Sequence, residues 1–197
     1  MTWRLTSAIR DKLKSDLNDE IPFRLSDDVL NRLISAGIPE RLARGKSIIR
    51  AGEVNEDVYI IVDGIMRTWH LDGDREVTQA FGTPPTFVIS YHSYCAGMPS
   101  NINFEACTPM KLLKIRREDY DRLLADSPEF ALWTLRQAQH QLYFYERKQG
   151  APGTAANRYR TLLKHIPDII PRVPMRMIAS YLGITPDYLS RLRRSLL

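Results

Sequence analysis

Residues 42–115 hold many short apolar runs, each ended within a few positions by a turn signal. The predicted strands are residues 47–50, 58–62, 65–71, 77–81, 87–89 and 111–115. The turn signals between them are Ala51-Gly52-Glu53, Asp63-Gly64 and Asp72-Gly73-Asp74. Many short strands with frequent turns favour a closed or double-layered antiparallel barrel over a parallel sheet.

Helical spacing of apolar residues precedes this strand region. An amphipathic stretch covers residues 6–17, and a second helix begins after Ser26, a typical N-cap residue, and stops at Gly37. With 197 residues, 44% of them hydrophobic, the chain is long enough for one sizeable core and a smaller second unit. We therefore expect an α+β fold.

A long helix is predicted from Pro128 to about residue 148, with Ser127 as its N-cap. Along it, steps of four and three residues separate Ala131, Leu135, Ala138, Leu142 and Tyr145. This spacing is a heptad seam, which favours pairing with a second copy of the chain. A second apolar stripe comprises Phe130, Trp133 and Phe144. We expect that stripe to pack on the barrel; burial of the whole helix within one subunit is the alternative, because the seam is short.

Basic charge is concentrated at the C-terminal end of the chain. The whole sequence carries 28 Lys and Arg against 23 Asp and Glu, a formal net charge of +5. Residues 158–197 hold eight basic and two acidic side chains, so the first 157 residues hold 20 basic and 21 acidic ones. A net charge of +6 confined to one end is expected if only that end meets the phosphates of a nucleic acid.

Residues 175–194 meet the steric conditions of two short helices joined by a tight turn. Ala179 is small where the helices would come closest, and Gly183 tolerates the positive φ of the turn. Thr185 can cap the second helix. The apolar residues that would clamp one helix on the other are Ile178, Leu182, Ile184, Leu189 and Leu192. The pattern predicts a helix-turn-helix after a linker at residues 149–153.

The second helix of this unit would present one face to the major groove of DNA, opposite its inward leucines. We expect Arg191 to make a bidentate contact with guanine and Asp187 to accept a hydrogen bond from cytosine. The other predicted DNA contacts, to phosphates or flanking bases, are Arg176, Thr185, Pro186, Ser190 and Arg194.

The order of these elements resembles the Crp-Fnr family, which is that of the cyclic AMP receptor protein and of the fumarate and nitrate reduction regulator. The resemblance spans about residues 25–197 and is carried by residues 49–64 and 178–191, where Asp187 and Arg191 fall at base-contacting positions of the family. It implies a β-roll of jelly-roll type, like a cyclic nucleotide-binding domain, over residues 1–126. A dimerisation helix over 127–148 and a helix-turn-helix domain over 149–197 would follow.

The resemblance also implies partners. A homodimer would read a palindromic operator in double-stranded DNA, and RNA polymerase is a candidate further partner. An unidentified small-molecule effector, or none, would occupy the barrel near Tyr91, Ser100, Asn101 and Asn103.

Two features depart from the family pattern. Ser100-Asn101 stands where members that bind cyclic AMP carry an Arg-Ala pair, so the fixed charge for a cyclic phosphate is missing and we expect a different effector. The sequence ends three residues after Arg194, so we expect the helix-turn-helix to lack the full wing that usually follows it. In this the chain is similar to a trimmed subgroup from Bacteroidetes-type bacteria.

Other classes of protein are disfavoured. Cys95 and Cys107 form neither a redox pair nor a cluster site, and the four histidines lack the His-x-His pair of cupin enzymes, so we expect no catalysis, metal or cofactor. The first twenty residues are charged and no run of 18 apolar residues occurs, which favours a cytoplasmic protein without membrane contact. The alternative is a sensor or scaffold whose helix-turn-helix binds a protein. Such an interface would respond little to salt, whereas DNA affinity would fall steeply.

Overall fold

The computed structural model describes residues 3–150 and 153–196. Within the long helix, the side chains of Phe144 and Tyr145 lie outside the described part, and so do the linker residues Ala151 and Pro152. The predictions that rest on these four residues are therefore untested by the structure.

The chain begins with two helices, α1 (Ser7–Asp19) and α2 (Asp27–Ala36). The strands that follow are β1 (Ile38–Leu42), β2 (Ser47–Ile49), β3 (Val58–Asp63), β4 (Met66–Asp72), β5 (Arg75–Gly82), β6 (Phe87–Val88), β7 (Asn103–Ala106) and β8 (Met110–Ile115), with α3 (Tyr91–Ala96) between β6 and β7. The remaining helices are α4 (Arg117–Asp126), α5 (Pro128–Gly150), α6 (Ala155–His165), α7 (Ile169–Arg172), α8 (Met175–Leu182) and α9 (Pro186–Leu196).

The strands form two four-stranded sheets, in the orders β1-β8-β3-β6 and β2-β7-β4-β5. All the pairings are antiparallel. Buried side chains from both sheets meet in one cluster, which includes Ile49, Tyr59, Ile61, Met66, Phe104 and Leu112. The double-layered antiparallel barrel expected from the turn spacing is thus confirmed.

Two strands, β1 and β7, were not among those predicted. β1 contains Pro39, which argues against a central strand, and it lies at the edge of its sheet, where proline is tolerated. β7 has only four residues and opens on the polar Asn103. Short or proline-containing strands carry too weak an alternation to stand out in one sequence.

The caps of α2 differ in detail from the prediction. Ser26 occupies the N-cap position but makes no capping hydrogen bond, because its hydroxyl instead donates to Glu129 Oε2 at 2.9 Å. Gly37 ends the helix with an ordinary φ of −80°. A Cβ at Gly37 would lie 2.9 Å from Leu113 Cβ, so glycine is needed there for close packing against β8.

The long helix α5 packs on the rest of the chain through Phe130 and Trp133 of the second apolar stripe. Ser127 caps the helix as predicted, since it accepts a hydrogen bond from Phe130 N at 3.2 Å. Phe130 and Trp133 are almost fully buried and stack on each other at 6.0 Å between ring centroids. Both belong to a cluster with residues of α1, α2, α4, β3 and β8. In the part of the chain that the structure describes, no helix is both long and apolar enough to cross a membrane.

Candidate nucleic-acid interface

The turn between α8 and α9 has the geometry that the sequence predicts. Gly183 adopts the left-handed conformation, with φ 65° and ψ 34°. Its N–H donates to the Ser180 carbonyl at 3.1 Å, and Ile184 N donates to the Ala179 carbonyl at 3.0 Å. These bonds satisfy carbonyls that the end of α8 would otherwise leave unpaired.

The start of α9 is capped by Thr185, whose hydroxyl accepts a hydrogen bond from Tyr188 N at 3.2 Å. Pro186 takes the first helical position, where its missing N–H carries no cost. The start of α9 at Pro186, with Thr185 as its cap, is therefore as the sequence predicts.

The predicted clamp between α8 and α9 is largely buried. Ile178, Ala179, Leu182 and Leu189 are each 1% exposed or less. Leu192 and Ile184 are half-buried against the same cluster. Because Leu189 points inward, the opposite side of α9 faces away from the protein.

The predicted DNA contacts on α9 and at its cap are all exposed, and Asp187 and Arg191 lie on the side opposite Leu189. Those that are exposed on α9 and its cap are Thr185, Pro186, Asp187, Ser190, Arg191 and Arg194. Arg176, on α8, is exposed as well. Asp187 and Arg191 lie one helical turn apart, so their side chains emerge from the same face. One acid and one guanidinium are thus exposed on the same face of α9, and their contact with base edges stays a prediction.

Three further residues of this region were missed by sequence reasoning. Tyr188 is 45% exposed, and the Arg191 guanidinium lies 5.8 Å from the centre of its ring, within the range of a cation–π contact. Arg193 is half-buried and contacts Met175 Sδ at 3.4 Å. Arg158 donates to the Leu182 carbonyl at 2.7 Å, which ties α6 to the end of α8. Counting basic residues could not separate these packing roles from phosphate contacts.

The four residues predicted around an effector differ in their surroundings. Ser100 is buried, and its hydroxyl donates to the Ile102 carbonyl at 2.8 Å. Asn103 is half-buried and accepts a hydrogen bond from Ala51 N at 3.0 Å. Tyr91 and Asn101 are exposed. The polar groups of Ser100 and Asn103 therefore already serve the local backbone.

The outer face of α5 carries the predicted heptad seam. Leu135 and Leu142 are 53% and 57% exposed, and Leu132, which the seam did not include, is 40% exposed. Ala131 and Ala138 are half-buried. At 100° per residue these leucines lie on the side of the helix away from the buried Phe130 and Trp133.

Comparison with known proteins finds one matching domain and one similar regulator. Residues 39–127 match the family model described as the cyclic nucleotide-binding domain. The chain is 28% identical over 170 residues to the nitrogen fixation regulation protein FixK of Azorhizobium caulinodans, an alignment that covers 79% of this chain and 67% of FixK.

Two solved structures share the fold. FixK2 from Bradyrhizobium japonicum superposes with a TM-score of 0.70 at 21% identity, over 81% of this chain and 84% of FixK2. The regulator CLP from Xanthomonas campestris, described as responsive to c-di-GMP, superposes with a TM-score of 0.69 at 17% identity, over 87% and 91% of the two chains. Residues 39–127 thus match a cyclic nucleotide-binding domain, the chain is similar to the regulator FixK, and the two solved structures show that it shares the fold of FixK2 and CLP.

Proposed function

We propose that the protein regulates transcription as a homodimer that binds a palindromic DNA site through α9. The observation that carries this proposal is the exposed face of α9, where Arg191 and Asp187 emerge side by side from a helix-turn-helix with a capped start and a glycine turn. Arginine bidentate to guanine is the commonest specific contact in the major groove, and an acid can accept from cytosine.

The homodimer is supported by the outer face of α5. Leu135 and Leu142 each expose more than half of their surface in one chain, one heptad apart. Burying a leucine fully stabilises by about 1.5–3 kcal/mol, so pairing this face with its two-fold copy is favourable. A two-fold axis along α5 would present two copies of α9 to half-sites about one helical turn of DNA apart.

The proposed effector is a small molecule other than cyclic AMP. A cyclic phosphate needs a fixed positive charge, and the Ser100-Asn101 pair supplies a buried hydroxyl and an exposed amide instead. The domain boundaries after residues 126 and 148 and a role for RNA polymerase belong to the same proposal.

Selection from a randomised duplex library tests DNA reading directly. We expect recovery of a palindromic sequence, with an affinity, measured by fluorescence anisotropy, that falls steeply as salt rises. Arg191→Ala should cost about 1–3 kcal/mol on the selected duplex and less on unrelated DNA. Arg24→Ala is the matched control, because Arg24 is exposed and lies before α2, outside the helix-turn-helix.

The outcomes separate the alternatives. Absence of salt-sensitive affinity for any duplex, from a folded dimer, would disprove the proposal and favour a helix-turn-helix that binds protein. An equal loss on selected and unrelated DNA would assign Arg191 to a phosphate contact.

A further inference from the structure

The outer edge of strand β5 is covered by helix α8. In the sheet order β2-β7-β4-β5, strand β5 is terminal, so every second backbone N–H and C=O along it points away from the sheet. Thr78 N donates to Ser180 Oγ at 2.9 Å, and Ser180 Oγ donates to the Glu76 carbonyl at 3.0 Å. One side-chain hydroxyl of the helix-turn-helix thus pairs two backbone groups of the open edge.

Elsewhere the contact between α8 and the barrel includes two apolar pairs and a cavity with charged residues in its lining. The rings of Phe81 and Tyr181 lie 5.3 Å apart, and Cys107 Sγ lies 3.9 Å from Met177 Sδ. Beside these contacts is a cavity of about 220 Å³, lined by Arg67, Glu76, Arg176, Met177 and Ser180. Beside this cavity, the two hydrogen bonds of Ser180 join α8 directly to the backbone of β5.

An ion cluster around the buried side chain of Arg67 joins the strands under this contact. Arg67 is 2% exposed, and its Nη2 lies 2.7 Å from a carboxylate oxygen of Glu76 on β5 and 2.7 Å from one of Glu105 on β7. Its Nη1 reaches Thr78 Oγ1 at 3.4 Å, and its guanidinium lies 4.9 Å from the ring centre of Trp69. The two β5 residues that Arg67 holds, Glu76 and Thr78, are the same two that Ser180 bonds.

We propose that Ser180 is the latch through which the barrel sets the position of the helix-turn-helix. A change in the barrel that moves β5 would act on α8 through the two backbone bonds of this hydroxyl. These bonds position the helix-turn-helix without covering the exposed face of α9. Asp187 and Arg191 stay exposed while α8 lies against β5. The coupling itself is a property of the free protein; its effect on DNA rests on the proposed function.

Hydrogen exchange on the DNA-free dimer tests the latch. In Ser180→Ala the Thr78 amide loses its acceptor, and we expect it to exchange at least tenfold faster, together with the amides of α8. Ser180→Thr keeps the hydroxyl and should restore most of the protection. Ser195→Ala is the matched control, because among the described residues the Ser195 hydroxyl donates to the Leu192 carbonyl, within α9 and away from β5.

Two results would overturn the latch. One is an unchanged exchange rate at Thr78 in Ser180→Ala. The other is an equal acceleration at Ile60 and Leu112, which lie deep in the barrel, since that would report a general loss of stability.

A binding measurement extends the test to DNA. Ser180→Ala should lower the affinity for the selected duplex, which has two half-sites, at least threefold. The affinity for a duplex with a single half-site should stay unchanged, because only binding to two half-sites depends on the spacing of the two copies of α9. Equal affinities for the two-half-site duplex before and after the substitution would contradict this step. If the unmodified protein binds no duplex, the proposed function fails, while the exchange result on the free protein still decides the latch.

Discussion

Gly183 and Gly37 show two separate physical reasons for glycine in this chain. Gly183 has φ 65°, and nothing lies within 4 Å of the position that a Cβ would take. Any penalty for a side chain there comes from the backbone alone. Gly37 has an ordinary φ, but a Cβ would meet Leu113 at 2.9 Å. Substitution at Gly183 therefore strains the turn between α8 and α9, whereas substitution at Gly37 would displace β8.

Gly183→Ala should lower the free energy of unfolding by about 1–2 kcal/mol, because alanine is strained in the left-handed backbone conformation and gains no compensating contact. Asparagine tolerates this conformation better, so Gly183→Asn should lose clearly less. Urea denaturation of the two variants and the unmodified protein measures the difference. Equal losses for alanine and asparagine would contradict a purely conformational cause.

Among the elements, helix α5 carries two faces with opposite environments. Its inner face, with Phe130 and Trp133, is part of the core of its own subunit. Its outer face, with Leu132, Leu135 and Leu142, is exposed in one chain. A helix apolar on both sides needs a surface to cover each of them.

Charges on the outer face should therefore separate the proposed dimer without unfolding the chain. We expect Leu135→Glu combined with Leu142→Glu to give a monomer in analytical ultracentrifugation, with an unchanged far-UV circular dichroism spectrum. Gln141→Glu adds a charge at an exposed position off the seam and should stay dimeric. A double variant that remains dimeric would show that another surface joins the subunits.

Local patterns in the sequence were enough to predict most elements of this fold. Capping residues such as Ser127 and Thr185, and the glycine at 183, mark element ends because they act on their immediate neighbours. Strands β1 and β7 were not predicted, because β1 contains a proline and β7 is short. The hydrogen bond of the Ser26 hydroxyl was not predicted either, since its partner Glu129 is 103 residues away.

At the scale of the whole molecule, the barrel and the helix-turn-helix share a buried cluster. Ile65 and Cys107 of the barrel belong to one cluster with Tyr159, Ile178 and Leu189 of the C-terminal helices. Burial raises the pKa of the Cys107 thiol to about 12, so that group stays neutral in this apolar contact at physiological pH. The spacing of apolar residues predicted the exposed face of α9. It could not predict the contact between α8 and β5, because that contact joins residues about 100 positions apart.

A matched pair of substitutions tests whether this shared cluster links the two units. Ile65→Val and Ile61→Val each remove one buried methylene from a fully buried isoleucine, at a cost of about 1 kcal/mol, but only Ile65 belongs to the cluster shared with the helix-turn-helix. Hydrogen exchange should therefore show faster exchange of the α8 amides in Ile65→Val than in Ile61→Val, since local opening of α8 becomes easier. Equal exchange of α8 in both variants would mean that the two units open only together, through global unfolding. Faster exchange in Ile61→Val would contradict the linkage, because that residue packs between the two sheets.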